Sequence, residues 1–245
     1  MKLITLNIWG GQILEPLKKF ISENKDTDVF CFQEVFNGRK NPVTFQDAVP
    51  NVYSIIENLL PRHKGFFKRQ ENMGLSIFVK NTINIEEEGD FFIYRFQDAM
   101  IDNDPSTQGR NLQFIKFKLN GKDIIVSHMH GLWIREGKGD TPERLEQSKK
   151  VKEFLDKQKG AKILAGDFNL LPDTKSLLIL EENLRNLVKE YKVTSTRTKL
   201  YDRYDMGDLF ADYILVSNGV KVLDFKVLPD VVSDHSPLML EFTSL

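Results

Sequence analysis

The chain has 245 residues, 41% hydrophobic and 28% charged, which provides for a substantial core and excludes global disorder. With 34 basic against 35 acidic residues the net charge is −1, so charge-driven binding of bulk nucleic acid would need a local basic patch. The single cysteine, Cys31, excludes an internal disulfide framework and a cysteine zinc site.

Residues 2–6 read as a strand that starts the fold. Ile13, Leu14, Leu17, Phe20 and Ile21 recur at helical spacing and predict an amphipathic helix over 13–24. Residues 28–32 form a buried strand in which Cys31 is a small hydrophobe, and Glu34 stands just past its end. Asn41-Pro42 opens a short helix or turn, 52–56 reads as a strand, and 75–79 as a firmer one. The Glu86-Glu87-Glu88 run reads as a solvated turn. Strands follow over 91–96 and 112–119, and Asn120-Gly121 signals a hairpin into 123–127, which runs into His128.

Thr141-Pro142-Glu143 carries a cap and a first-turn proline, so it opens a helix that Gly160 closes. Residues 161–165 are a buried strand that delivers Gly166-Asp167-Phe168-Asn169. Residues 177–187 read as helix, and 211–216, 220–228 and 237–242 as strands. Hairpins among alternating helices and strands favour two mixed sheets packed face to face with helices outside, an α/β four-layer sandwich, over one parallel doubly wound sheet. One domain over 1–245 is expected. No run approaches the roughly 20 apolar residues of a membrane span, and no signal-peptide pattern opens the chain. A cytoplasmic monomer is the expectation.

The polar residues of interest share one position, the end of an apolar strand or the loop just after it. Asn7, Glu34, His128, Asp167 and Asn169 all stand there, where binding groups converge. With Asp212, Asp234 and His235 they supply hard oxygen ligands and proton-transfer groups of the kind magnesium uses. No serine or cysteine stands in a nucleophile-elbow context, so water is the nucleophile expected.

Six motifs occur in one order: Thr5-Leu6-Asn7-Ile8-Trp9-Gly10, Gln33-Glu34-Val35, Ser127-His128-Met129-His130, Gly166-Asp167-Phe168-Asn169, Asp212-Tyr213-Ile214-Leu215 and Ser233-Asp234-His235-Ser236-Pro237. Together the set resembles the DNase I-like endonuclease/exonuclease/phosphatase superfamily over residues 3 to 241. The resemblance implies a Mg²⁺-dependent phosphoesterase, with Mn²⁺ as a substitute. It implies Glu34 as the principal metal ligand, with Asn7 beside it and Asp234 at its edge. Asp167 would deprotonate the attacking water, and Asn169 would donate to a phosphate oxygen from an extended segment. His235 would hydrogen-bond the phosphoryl oxygen, held and kept charged by Asp212. His128 would contact the phosphate from another side.

His130 lies two residues beyond His128 and shares its face, so it either lines the pocket or packs against Trp133. Arg135, Lys138 and Arg144 among glycines suggest a mobile basic loop. Trp9 and Trp133 are candidates for ring stacking or core, and Lys68, Arg69, Asn72 and Arg110 are possible substrate contacts. The substrate expected is a phosphoester of nucleic acid, nucleotide or phosphorylated small molecule. The competing reading is a catalytically silent binding protein on the same fold.

Overall fold

A computed structural model of the chain describes residues 1–38, 47–70, 73–96, 100–102 and 104–245; Asn41-Pro42 and Asn72 lie outside them. Two six-stranded mixed sheets form the centre. The first orders β11 (Val220–Val227), β12 (Leu238–Ser244), β1 (Lys2–Asn7), β2 (Val29–Val35), β4 (Met73–Lys80) and β3 (His63–Gln70). The second orders β5 (Ile85–Tyr94), β6 (Arg110–Leu119), β7 (Lys122–His130), β8 (Ala161–Asp167), β10 (Asp212–Val216) and β9 (Arg185–Asn186). In each sheet the central pair is parallel, β1 with β2 and β7 with β8, and the other pairs are antiparallel.

Strand alternation explains the layering. Leu3, Val29 and Cys31 point between the sheets and join Val126, Ile163, Ala165 and Ile214 in the central core. Ile4, Leu6, Phe30 and Phe32 point the other way, under helices α1 (Leu14–Glu23) and α2 (Val52–Leu59). Each fully buried Leu or Phe contributes about 1.5–3 kcal/mol. Helices α3 (Pro142–Asp156), α4 (Lys175–Glu181) and α5 (Leu187–Glu190) complete the sandwich on the second sheet, with Phe154 of α3 packed on Phe91 and Phe114. Thr141 caps α3 as expected, its hydroxyl accepting from the Arg144 N–H.

Three expectations change. Residues 52–56 are helical, because Val52, Tyr53 and Ile56 bury one helical face against the first sheet. The glutamate run belongs to β5, where Glu87 pairs with Lys116 and Glu88 with Lys68 on an edge strand. The helix expected over 177–187 stops at Glu181, and Asn186 then caps α5 by accepting from Val188 and Lys189 N–H.

Candidate active site

The inward-facing rows of both sheets end in polar residues at one edge of the sandwich. His130 and Asp212 each stand directly beside Asp167 in the second sheet. Asn7 ends β1 next to Gln33. Glu34 reaches the same place by a different route. Alternation would send it outward with Phe30 and Phe32, but its backbone has φ 58° and the β2–β4 register shifts between Phe32 and Val35. The bulge turns the carboxylate inward, a strain of the kind found at functional positions. Gly166 has φ 118°, and a Cβ there would collide with the Met129 carbonyl oxygen, so glycine lets β8 deliver Asp167 at this depth.

Asn7 holds two acids together. Its Nδ2 donates to Glu34 Oε1 at 3.0 Å and to Asp167 Oδ2 at 3.1 Å, while its Oδ1 accepts from the Trp9 N–H at 3.0 Å. Glu34 Oε2 is buried and has no partner. Burial pushes the Glu34 carboxyl up to about 8 against the Asn7 hydrogen bond, and the Asp234 and Asp167 charges push the same way. Asp167 Oδ1 accepts from the Asn169 N–H at 2.9 Å.

Two histidines approach Asp167, each paired with a buried arginine. Arg110 Nη1 lies 3.1 Å from His130 Nδ1, and Arg197 Nη1 lies 2.6 Å from His235 Nε2. A guanidinium only donates, so each of those ring nitrogens accepts and each imidazole is neutral. The His130 proton therefore sits on Nε2, 3.7 Å from both Glu34 Oε1 and Asp167 Oδ2. The His235 proton sits on Nδ1 and is donated to Asp212, with 2.8 and 3.0 Å to its two oxygens. Burial first, then Arg197, pushes His235 down to about 4. The charged His235 that the resemblance implies is thus disfavoured, and the Asp212 contact fixes the tautomer of the ring. Burial also pushes Asp212 up to about 7, against the Arg197 and Lys138 charges.

Glu34, Asp167, Asn169, Asp234 and His235 line one cleft of about 300 Å³, with Asn7 and Asp212 bonded directly to them. Trp9, Trp133 and Arg110 line it too. Asn169 is not extended: its φ is 52°, its Nδ2 donates to the Gly131 carbonyl at 3.3 Å, and its buried Oδ1 has no partner. His128 is placed elsewhere. It is fully buried between the sheets, where Gln33 Nε2 donates to its Nδ1 at 2.9 Å and its Nε2 donates to Gln113 Oε1 at 2.8 Å. His130, two residues nearer the strand tip, takes the cleft position. Lys68 is held by Glu88 and Asp90 and does not line the cleft.

The loop after β7 is pinned. Arg144 Nε and Nη2 donate to the Leu132 carbonyl and Nη1 to that of Gly139, while Lys138 is buried on Asp208 and the Phe210 carbonyl. Arg135 alone of the three is exposed. Arg197 was not singled out from the sequence, because it sits in the polar loop Thr194-Ser195-Thr196-Arg197-Thr198 with no apolar periodicity around it.

The acids include a group that could hold a metal ion. Asp167, Asp212 and His235 offer ligand atoms within 4.8 Å of one another. Their mutual hydrogen bonds occupy Asp212 and His235 Nδ1, so the ligand atom better placed in bonding terms is the orphaned Glu34 Oε2, on a carboxyl that feels the Asp167 and Asp234 charges.

The fold has many relatives among solved structures. An endonuclease/exonuclease/phosphatase family protein from Bacteroides thetaiotaomicron superposes with TM-score 0.76 at 19% identity, covering 100% of this chain and 95% of that one. A mannosyl-6-phosphatase from the same organism gives 0.74 at 20%, with 99% of each chain covered. A humanized TDP2 from D. rerio gives 0.76 at 14%, covering 100% of this chain and 99% of that one. No curated protein sequence matches. The profile of the Endonuclease/Exonuclease/phosphatase family matches residues 4–235, and the chain belongs to that family of phosphoester hydrolases.

Proposed function

We propose that the cleft hydrolyses a phosphoester by in-line attack of water, with Mg²⁺ or Mn²⁺ bound among its acids. The observation that carries this reading is Glu34: a strained, buried carboxylate with one unpartnered oxygen, set against two further acids. A bound cation would polarise the phosphoryl group and offset the charge that develops on it. Glu34 and Asp234 would hold the cation. Asn7 would keep Glu34 and Asp167 at their spacing, since its own oxygen is taken by the Trp9 N–H.

Asp167 is the base in this reading. Its Oδ2 lies at the centre of the polar groups and would take a proton from the attacking water. His130 Nε2–H and the Asn169 amide supply neutral donors toward the phosphoryl oxygens. Asp212 fixes the His235 ring. Two fold relatives mark the range of esters: one is named a mannosyl-6-phosphatase, and a D. rerio TDP2 structure holds a single-strand DNA product. A phosphomonoester of a small molecule and a nucleic-acid phosphodiester are therefore both candidates here.

The test is hydrolysis of p-nitrophenyl phosphate, bis-p-nitrophenyl phosphate, mannose 6-phosphate, abasic DNA, oligo-A, inositol phosphates and sphingomyelin in magnesium. Activity should vanish in EDTA and in Asp167→Asn with the fold unchanged. Full activity in excess EDTA sinks metal dependence. No hydrolysis across the panel leaves the silent binding protein standing.

A further inference from the structure

We propose that Trp9 and Trp133 are the specificity-determining pair of the cleft, and that the ester it takes carries a flat aromatic ring for those indoles to stack on. The proposal rests on the reading that the cleft binds a phosphoester.

These are the chain's only two tryptophans, and both line the cleft. They come from different sheets: Trp9 stands two residues past the end of β1, and Trp133 three past the end of β7. Two and three residues reach at most about 7 and 11 Å, so both stand beside the acids that end those rows. Each backbone is pinned. The Trp9 N–H donates to Asn7 Oδ1 at 3.0 Å and the residue is held at φ 51°, a strained value for a non-glycine. Gly10 after it is pressed against Phe36 and Ala48, where a Cβ would meet them at 2.8 and 2.9 Å. Before Trp133, the Gly131 N–H donates to the Asp167 carbonyl at 2.7 Å, and the Leu132 N–H donates to Gln147 Oε1 at 3.0 Å. The rings, by contrast, are unused. Both are half-buried, and among the described residues neither packs on the two hydrophobic cores, neither meets another aromatic ring or a cation, and neither indole N–H has an acceptor.

A tryptophan stabilises a fold through the area its ring buries and the partner its N–H finds, and these two have neither. Stacking on a flat ring supplies the missing cover, at a strength that separates a ringed ester from a plain one. A sugar phosphate suits the mouth less well. Its hydroxyls need polar partners, and the neutral donors there are engaged: Tyr201 Oη donates to Asp208 Oδ2 at 3.0 Å, and Gln108 Nε2 to the Gln70 carbonyl at 3.0 Å. Met73 and Pro105 add apolar surface. A quaternary ammonium also suits indoles, but the Tyr201 ring that would complete a cage already carries the Arg197 guanidinium at 4.1 Å and the Lys138 ammonium at 4.7 Å. Those charges repel a further cation. The cleft thus divides into an acidic floor for the phosphoryl group and an indole-lined mouth for the organic group. A base in the interior of a duplex has its faces covered already, so the ring belongs to a nucleotide, an unpaired strand end or an aryl ester.

Because both tryptophans stand in the cleft, the protein's own emission reports their stacking. In stopped flow with magnesium, adenosine 5′-monophosphate should quench wild-type tryptophan emission, while ribose 5-phosphate, the same ester without the base, should leave it nearly unchanged. Competition against that quench should rank adenosine 5′-monophosphate above ribose 5-phosphate and mannose 6-phosphate by about ten- to a hundredfold. Trp133→Leu and Trp9→Leu should each lower the ratio of adenosine 5′-monophosphate to ribose 5-phosphate affinity by about fivefold or more. A tryptophan with only a structural role would weaken both ligands alike and leave the ratio where it was. Trp133→Leu carries the test if the strained turn makes Trp9→Leu unfold. Phenyl phosphate separates the two sources of the ring: binding as tight as the nucleotide assigns an aryl ester, and binding like ribose 5-phosphate assigns a nucleotide. Equal affinity for adenosine 5′-monophosphate and ribose 5-phosphate, phosphocholine bound more tightly than either, or an unchanged ratio in either folded variant overturns the assignment. If no ester is cut but the quench and the ratio hold, the hydrolytic reading fails and the ring site stands. If esters are cut with no preference for a ring, the hydrolytic reading stands and the ring site fails.

Discussion

His130 and His235 approach the same oxygen, Asp167 Oδ2, at 3.7 and 3.6 Å, yet they are wired in opposite senses. Arg110 bonds His130 on the ring nitrogen away from Asp167, so His130 turns an N–H toward the acids. Arg197 bonds His235 on the near nitrogen, so that ring turns a filled lone pair and the cation stands in front of it. One residue type therefore gives two chemistries, and the partner arginine selects between them. Positive charge in the cleft resides on guanidinium groups, which stay charged across the working pH range.

The largest expected effect removes what the two histidines share. Asp167→Asn keeps the shape but loses the charge and the base, and should lower kcat by about 10³-fold or more. Steady-state kinetics on whichever ester the wild type cuts best measures this. A loss under tenfold would mean that neither histidine frames the reacting centre.

Next comes the pH dependence of the metal-free protein. Glu34 in the folded chain is raised from 4.5 to about 8, and Asp212 from 3.8 to about 7. The folded state therefore keeps protons that the unfolded chain releases. Stability contributed by these acids is full below their unfolded values and is lost as pH rises through the folded ones. In EDTA, denaturant unfolding should show stability falling by about 2 kcal/mol between pH 6.5 and 8, above the range in which the buried histidines, pushed down by burial, contribute the opposite slope. Magnesium should flatten the decline, and Glu34→Gln should shrink it to the Asp212 part. A flat profile in EDTA would remove the argument that Glu34 awaits a cation.

How much of this was legible in the sequence depends on where a residue sits. Asn7, Glu34, Asp167, Asp212 and His235 announce themselves because each ends or begins a strand whose apolar run is easy to read, and the structure brings them together. The inward turn of Glu34 was not readable, because strict alternation sends it to the helix side. Arg197 was not readable because a polar loop carries no period, and its pairing with His235 spans 38 residues of sequence. The strands misjudged, β3 and the first half of β5, are sheet edges whose lysines, arginines and glutamates keep them from pairing further but blur the period of two. The different placement of His128 and His130 has a geometric reason. They share a face, and only depth separates them, by about 7 Å along the strand.

Arg110 offers a smaller effect that sharpens the contrast. Arg110→Met keeps volume but leaves the buried His130 Nδ1 without its donor, so the melting temperature should drop by a few degrees. His130 loses the bond that fixes its tautomer, and kcat should fall by about 10- to 100-fold. Phosphate affinity should fall less than kcat, because Arg110 acts through His130. Equal losses would make Arg110 a direct phosphate contact and erase the difference in wiring.

The smallest effect on catalysis belongs to His128. Its two ring nitrogens are both satisfied inside the sandwich, one by the Gln33 amide and one by the Gln113 oxygen. His128→Leu strands the Gln113 oxygen in the interior at about 1–3 kcal/mol, while the Gln33 amide keeps Thr5 Oγ1 and the Cys31 carbonyl, so the melting temperature should drop clearly. The turnover of the protein that remains folded should stay within about twofold of wild type, because no cleft group touches this ring. Circular dichroism melts and kcat, normalised to folded protein, separate the two. A His128→Leu protein that is fully folded but loses most of its turnover would return His128 to the place the family resemblance gave it, and would mean that the floor beneath the cleft moves when substrate binds.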